Sequence, residues 1–266
     1  MSDVRVFITK HSTDWHREIA DSNTVLQTQV GSGLHGVTVK EADDRDEMGI
    51  AIEPPEVALR CNPKAFEQYE YRSQPVGVRS GPGDLDLVVY SLRKYIRLAS
   101  AGNPTVLMPL FAPDTEIVRI AEPGFDLRAN RLMLLSKKAG LRFLGYLNSQ
   151  RRHLSGESAP RLNRPELIEK YGLDTKYAYH SMRIAIQGIE LMESATIELP
   201  MRPDLRGHLR DVRLGKFTLA ECLDEIADLS ARLTAATAQS DLPEATDDRV
   251  INTWLAQTYR AWWERG

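Results

Sequence analysis

The hydrophobic pattern in the first half of the chain predicts a mixed sheet with helices. Short apolar runs bounded by turn residues are typical of strands. They occur at residues 4–8, 24–30, 48–52 and 85–89. After the last run, Ser91 can cap a helix with one apolar face, and Gly102 and Pro104 can end that helix. The apolar face comprises Leu92, Tyr95, Ile96 and Ala99.

The second half predicts helices, because its apolar residues recur at spacings of three and four from about residue 126 onward. Thr218 and Glu221 form a capping-box pattern that opens a long helix. Only residues 196–199 have the pattern of a strand. We therefore predict an α+β fold, in which a sheet domain over residues 1–120 precedes a mainly helical domain over residues 121–266.

One predicted helix of the second half, residues 174–192, has two opposite faces. Its apolar stripe comprises Ala178, Met182, Ala185, Ile189 and Met192. Its polar stripe comprises Lys176, His180, Arg183, Gln187 and Glu190. The two stripes lie about 200° apart around the helix axis, so the apolar one is expected to pack in the core. The polar stripe is expected either to face solvent or to bind phosphate groups.

The composition is that of an ordinary globular protein. Of the 266 residues, 42% are hydrophobic, which is enough for a substantial core. No apolar run approaches the roughly 20 residues of a membrane-spanning helix, so no membrane association is expected. Cys61 and Cys222 lie far apart, and the histidines and cysteines form no zinc pattern. We therefore expect reduced thiols, a cytoplasmic location and carboxylate ligands for any metal.

Charge is unevenly distributed along the chain, although the net charge is only −3. Residues 119–183 contain thirteen Lys or Arg against six Asp or Glu, a local charge of +7. Residues 217–266 contain four against nine, a local charge of −5. The basic segment is expected either to face a polyanionic substrate or to be a solvated surface that varies in sign.

A glycine-rich turn precedes two acids that are two positions apart in the sequence. Gly31 and Ser32 begin the turn, and Asp44 and Asp46 follow it. The turn lacks bulky side chains, which lets backbone N–H groups approach an anion. In a strand, residues i and i+2 project from the same face, so the two carboxylates would repel each other unless a cation lies between them. Oxygen ligands at this spacing suit Mg²⁺ together with substrate phosphates.

A third acid would complete a two-metal site. Asp86 lies within the apolar, β-branched run at 85–89 and is the better candidate. Asp84 follows Gly81, Pro82 and Gly83 and has the pattern of a turn residue.

The Gly-Ser turn, the Asp44-x-Asp46 pair and the later hydrophobic strand with Asp86 resemble the signature of the polymerase-beta-like nucleotidyltransferases. Further blocks resemble one branch, the predicted nucleotidyltransferases associated with RNA ligases and RNA repair. These blocks are residues 90–95, 103–104, 145–146, 171–180 and 190–191. His35 stands where members usually carry an aromatic residue, and Met108 where they usually carry an acid.

The resemblance implies a nucleotidyltransferase fold and the transfer of a nucleoside monophosphate from an NTP to a hydroxyl. It implies that Asp44, Asp46 and Asp86 are catalytic and bind Mg²⁺ or Mn²⁺. It also implies nucleotide contacts from the six residues Gly31, Ser32, His35, Lys176, His180 and Arg183. The acceptor it suggests is an RNA 3′ end, such as that of damaged tRNA, bound through residues 119–183, with an RNA ligase as a further partner.

Several alternatives remain at the level of sequence. The acceptor could be a protein side chain or a small molecule, or the protein could be a catalytically silent nucleotide-binding subunit of a repair complex. His35 could instead be a structural hydrogen-bonding residue. The C-terminal aromatic cluster could stack on bases, although core packing or a dimer contact is the preferred interpretation. That cluster comprises Trp254, Tyr259, Trp262 and Trp263.

Overall fold

The computed structural model describes residues 9–38, 44–60, 66–75, 78, 80–158 and 164–265. Its strands are Thr24–Val30 (β1), Arg45–Ala51 (β2), Gln68–Arg72 (β3), Leu85–Ser91 (β4) and Ile117–Ile120 (β5). Its α-helices are Asp14–Asn23 (α1), Gly31–His35 (α2), Pro55–Ala58 (α3), Leu92–Ser100 (α4), Glu122–Ala129 (α5), Lys137–Leu154 (α6), Pro165–Tyr171 (α7), Thr175–Ser194 (α8), Pro203–Arg213 (α9), Leu219–Gln239 (α10) and Asp248–Trp263 (α11). The strand predicted at residues 4–8 lies outside the described residues.

The chain divides into two compact units, each continuous in space but not in sequence. The first draws its described residues from Met1–Ala99, Thr105–Leu134 and Asp247–Gly266. The second draws them from Ser100–Pro104 and Leu135–Thr246. The domain boundary predicted after residue 120 remains a prediction.

The first unit is built on a five-stranded mixed sheet with the order β3-β4-β2-β1-β5. Strands β2 and β4 are parallel, and the other neighbouring pairs are antiparallel. Strands β1, β2 and β4 match the predicted runs and their flanking acids. The α+β prediction is therefore confirmed, and the parallel pair brings Asp46 directly opposite Asp86.

Helices cover this sheet because its apolar side chains must leave water. One buried cluster combines Ile19 and Ala20 of α1 with Ala51, Val89, Tyr69, Val57 and Phe66. Helix α4 has the predicted cap, since the Lys94 backbone N–H donates to Ser91 Oγ. All four apolar residues predicted for its inner face are buried.

The predicted turn after β1 is instead a short helix, α2. It begins at Gly31, which has a φ of 70°, and ends at His35, after which Gly36 caps it, also with a φ of 70°. A left-handed residue at each end lets the chain leave the strand and then leave the helix within a few residues. The glycines thus bound a helical turn rather than an open loop.

The C-terminal aromatic cluster packs within the first unit. Tyr259 donates its hydroxyl hydrogen to Glu53 Oε2 at 2.8 Å, and Trp263 donates its indole N–H to the Glu53 carbonyl oxygen at 3.0 Å. Trp254 donates to Asp126 Oδ2 at 2.7 Å. Three of the four members of the cluster therefore have partners within the first unit, and core packing or a dimer contact remains a prediction for the cluster as a whole.

The second unit is helical, with α6, α8 and α10 in mutual contact. Glycine permits the close approach of these helices. A Cβ on Gly188 would lie 2.9 Å from Phe143 and 3.0 Å from Leu233. The predicted apolar stripe of α8 is fully buried, and the predicted capping box at Thr218 and Glu221 is formed.

The strand predicted at residues 196–199 is wrong. The segment is irregular, and only Ile197 is buried there. Across its described residues the second unit contains no strand that could pair with this segment. One buried apolar side chain in a connection therefore produced the pattern.

Across the described chain, every helix is either too short or too polar to cross a membrane.

Candidate active site

Three carboxylates converge at one end of the sheet of the first unit. Asp44 lies immediately before β2, Asp46 is the second residue of β2, and Asp86 is the second residue of β4. Each offers an oxygen that lies within 4.8 Å of the other two, and all three residues are half-buried. The i, i+2 spacing and the parallel register therefore bring together the three acids predicted from the sequence.

The carboxylate of Asp84 is engaged in the turn that precedes β4. Its Oδ1 accepts a hydrogen bond from Ser73 Oγ at 2.9 Å, and its Oδ2 accepts one from the Gly81 backbone N–H at 3.0 Å. The turn interpretation of Asp84 is confirmed, so Asp86 is the third acid of the cluster.

Gly31 leaves the room that Asp46 occupies. A Cβ added at Gly31 would lie 2.0 Å from Asp46 Oδ2, and the positive φ of Gly31 also disfavours a side chain. Glycine is therefore needed at this position for the Asp46 carboxylate to keep its place. Ser32 is half-buried at the start of α2.

His35 is at the end of α2, and its side chain is only 3% exposed. A ring buried to this degree offers little surface to a ligand. The prediction that His35 contacts the nucleotide remains a prediction.

Three side chains missed in the sequence surround Asp86. Gln74 Nε2 donates to Asp86 Oδ1 at 3.0 Å, and Ser80 Oγ donates to Asp86 Oδ2 at 3.1 Å. Arg72 Nε lies 3.7 Å from Asp86 Oδ2. The antiparallel pairing of β3 with β4 sets Arg72 opposite Asp86, a relation that no local pattern reveals.

Two of the acids, Asp46 and Asp86, line a cleft of about 440 Å³ on the face of the sheet. The cleft continues along β3 and β4 from the acids to Glu70 and Tyr90. Val88 and Met48 form part of its floor. It is a space in which a substrate can lie against the carboxylates.

A second candidate site lies on α8 in the second unit. Lys176, His180 and Arg183 are half-buried there. Burial lowers the pKa of the His180 imidazole well below its usual range, and nearby positive charges lower it further. Those charges belong to Arg183, Arg164, Lys176 and Arg213.

Arg164 and Arg213 are additional members of this basic cluster that the sequence pattern of α8 does not show. The Arg213 guanidinium lies 5.4 Å from the centre of the Tyr179 ring, and that of Arg183 lies 5.9 Å from the same ring. Arg164 lies over Tyr177 at 5.1 Å and pairs with Asp174 at 2.9 Å. Aromatic faces thus hold these cations together.

The polar stripe of α8 is not a fully solvated face. Gln187 is buried, and its Oε1 accepts a hydrogen bond from Arg183 at 2.7 Å. Burial of Arg183 lowers the pKa of its guanidinium. A half-buried positive face of this kind suits an anion.

Comparison with known proteins agrees with the resemblance described from the sequence. Residues 8–257 match the model of the RNA repair pathway DNA polymerase beta family. Among solved structures, the chain is similar to a nucleotidyltransferase-like protein from Exiguobacterium sibiricum 255-15, with 13% sequence identity and a TM-score of 0.30. That similarity covers 85% of this chain and 72% of the other. No curated protein matches the chain. The family match spans nearly the whole sequence, and the chain therefore belongs to the RNA repair pathway DNA polymerase beta family.

Proposed function

We propose that the protein is a metal-dependent nucleotidyltransferase that moves a nucleoside monophosphate from an NTP to a hydroxyl group and releases pyrophosphate. The observation that carries the proposal is the convergence of Asp44, Asp46 and Asp86 at the edge of a cleft. Three half-buried carboxylates this close together repel one another, and hard divalent cations are the partners that suit them. Family membership supports the same chemistry.

The carboxylates have distinct roles in this proposal. Asp44 and Asp46 would hold two Mg²⁺ or Mn²⁺ ions, and Asp86 would complete the site on the side of the attacking hydroxyl. When bound, the ions activate the attacking oxygen and neutralise charge on the transferred and leaving phosphates. The acceptor oxygen forms a bond to the α-phosphorus while the bond from that phosphorus to the pyrophosphate oxygen breaks. Asp86 accepts the proton that the hydroxyl loses.

Phosphate contacts come from two sets of residues in the proposal. Gly31 and Ser32 contact the triphosphate beside the acids. His35, from the same segment, is proposed as a third nucleotide contact. Lys176, His180 and Arg183 bind phosphate through the basic cluster of the second unit. The cations that Arg164 and Arg213 add to this cluster support that role, because charge-assisted contacts to phosphate are strong.

The proposed acceptor is an RNA 3′ end. The repair pathway in the family description and the local charge of +7 over residues 119–183 support RNA as the acceptor. A protein side chain or a small molecule would use the same transfer chemistry, and an RNA ligase is a proposed partner.

Transfer of label tests both the chemistry and the acceptor. The protein is incubated with each NTP labelled at the α-phosphate, Mg²⁺ or Mn²⁺, and total RNA. We expect label in RNA from at least one NTP and none when the same NTP carries its label at the γ-phosphate, because pyrophosphate leaves. Label in the protein would indicate the alternative acceptor, and no label under any condition would contradict the proposed activity.

Matched substitutions of neighbouring acids tie the activity to the site. Asp46→Asn and Asp86→Asn should each abolish transfer, while Asp84→Asn should retain it, because the Asp84 carboxylate is hydrogen-bonded to Ser73 and Gly81 and is not part of the acid cluster found among the described residues. The metal-free melting temperature of Asp46→Asn should equal or exceed that of the parent, since one of three mutually repelling charges is gone. Transfer by Asp46→Asn at the parent's rate would exclude the assigned metal site.

A further inference from the structure

The carboxylate of Asp86 is held from both sides by two uncharged side chains of the connection between β3 and β4. Gln74 Nε2 donates to one carboxylate oxygen at 3.0 Å, and Ser80 Oγ donates to the other at 3.1 Å. Gln74 Nε2 also donates to Ser80 Oγ at 2.5 Å. The three side chains form a closed hydrogen-bonded ring around the third acid.

The connection is anchored so that these two side chains stay beside Asp86. The Ser73 backbone N–H donates to the Leu85 carbonyl oxygen at 3.0 Å, and the Leu85 N–H donates to Ser73 Oγ at 2.8 Å. Asp84 closes the turn at Gly81. The backbone on either side of the connection is thereby tied to the start of β4.

Gln74 is buried to an unusual degree for a polar residue between strands, with only 4% of its surface exposed. Within the part of the chain that the structure describes, its Oε1 atom has no hydrogen-bond partner. A buried amide that leaves its acceptor unsatisfied is costly, so its orientation must be set by the bonds that its Nε2 atom makes. Both of those bonds lead to the ring around Asp86.

We propose that Gln74 and Ser80 are positioning residues that fix the Asp86 carboxylate for metal binding. Each neutral donor satisfies one lone pair of a carboxylate oxygen and leaves others directed at the cleft. Neither donor adds a positive charge, so these two bonds orient the carboxylate without offsetting its attraction for a divalent cation; the Arg72 guanidinium lies farther from it, at 3.7 Å. Hydrogen bonds from outer groups orient metal-binding carboxylates in this way. This inference rests on the proposed metal site.

Mn²⁺ binding to the full chain tests the inference without an activity measurement. Binding is measured from the electron paramagnetic resonance signal of free Mn²⁺. Gln74→Leu keeps the buried volume and removes the donor, and Ser80→Ala removes the second donor. Each should weaken Mn²⁺ binding about tenfold or more, as is typical when such outer contacts are lost. The loss of Mn²⁺ affinity in the double variant should be smaller than the product of the two single losses, because the two side chains also bond to each other.

Ser73→Ala is the matched control, since it removes side-chain hydrogen bonds of the same connection that do not reach Asp86. It keeps the backbone bond from the Ser73 N–H to the Leu85 carbonyl oxygen, which is sufficient to anchor the connection. It should change the metal-free melting temperature and leave Mn²⁺ affinity within about twofold of the parent. A merely structural role for Gln74 and Ser80 would give the same result for their variants, and parent-like Mn²⁺ affinity in both would overturn the inference. Failure of the unsubstituted protein to bind Mn²⁺ would instead contradict the proposed function.

Discussion

At the scale of single residues, the candidate site depends on which side chains are absent as much as on those present. The Asp46 carboxylate lies where any side chain at Gly31 would begin. Asp86 is surrounded by two neutral donors and a more distant guanidinium. Because Asp46 and Asp86 each have defined neighbours, substitutions of those neighbours should have separable effects on metal binding and on stability.

Gly31→Ala should disrupt the metal site. Its new Cβ would displace Asp46 Oδ2, and alanine is strained at a φ of 70°. Strain of this kind costs of order 1 kcal/mol, so the protein should still fold while Mn²⁺ affinity falls at least about tenfold. Mn²⁺ titration and a thermal melt check this. Gly83→Ala is the control, since it has a φ of 88° but a Cβ there meets no atom within 4 Å.

At the scale of elements, helix α8 carries an apolar face on one side and a basic face on the other. Its apolar stripe is buried in the second unit, whereas Lys176, His180 and Arg183 form part of a basic cluster. Packing fixes the helix through the first stripe, and the second is then held rigidly enough to bind an anion. The low pKa of His180 makes it a reporter of that binding.

Pyrophosphate should raise the pKa of His180. Surrounding cations and burial favour the neutral ring, and a bound anion offsets those cations, so binding should take up a proton and strengthen as pH falls. NMR titration of the imidazole signals with and without pyrophosphate measures the shift. Lys176→Ala should weaken pyrophosphate binding with little change in melting temperature. An unchanged His180 pKa at saturating pyrophosphate would exclude an anion site here.

Glu53, two residues after the end of β2, contacts α11 and provides a second test at this scale. Burial raises the pKa of the Glu53 carboxyl, against opposing effects of hydrogen bonds and of Arg93. A raised carboxyl pKa means that the folded protein binds this proton more tightly than the unfolded chain does. The associated stabilisation is therefore present at acidic pH and is lost as pH rises through the folded pKa.

Glu53→Gln should accordingly gain stability relative to the parent as pH rises. Glutamine retains an oxygen that can accept the Tyr259 hydroxyl hydrogen, and it carries no charge to bury. Melting temperatures compared at about pH 5 and about pH 8 measure the difference. A difference that shrinks on going to about pH 8 would contradict the burial of a carboxylate at this position.

At the scale of the whole molecule, charge is segregated along the chain between residues 119–183 and residues 217–266. If the basic segment binds RNA, binding releases counterions, and affinity must fall steeply with salt. The same segment contributes most of the basic cluster on the second unit.

Reversal of Arg151 and Arg152 to Glu should weaken RNA binding. Loss of two phosphate contacts should flatten the dependence of log affinity on log salt by about 1.4 for single-stranded RNA. Binding of a labelled oligonucleotide at several salt concentrations measures both quantities, and NTP affinity should stay unchanged. The control changes Arg232 and Arg249 of the acidic segment to Glu, and it should leave RNA affinity and its salt dependence unchanged. Salt-independent RNA binding, or none at low salt, would favour the alternative acceptor.

Local patterns in the sequence determined much of this protein. The strand around Asp46, the helix capped by Ser91, the capping box at Thr218 and the two stripes of α8 were all predictable. Each depends on residues within a few positions of one another, because strand alternation, helix periodicity and capping are local effects. The acid cluster could be predicted from the sequence for the same reason. The i, i+2 spacing of two acids and one further acid in a predicted strand identified it.

Only the tertiary structure decided which distant residues meet. The pairing of β3 with β4 brings Gln74 and Ser80 to Asp86, and the return of α11 to the first unit brings Tyr259 to Glu53. Arg213 joins the basic cluster from α9. The irregular segment at 196–199 shows the converse, since a strand-like pattern forms no strand without a neighbour to pair with. Such contacts depend on register and packing between segments far apart in the chain, and local periodicity carries no record of either.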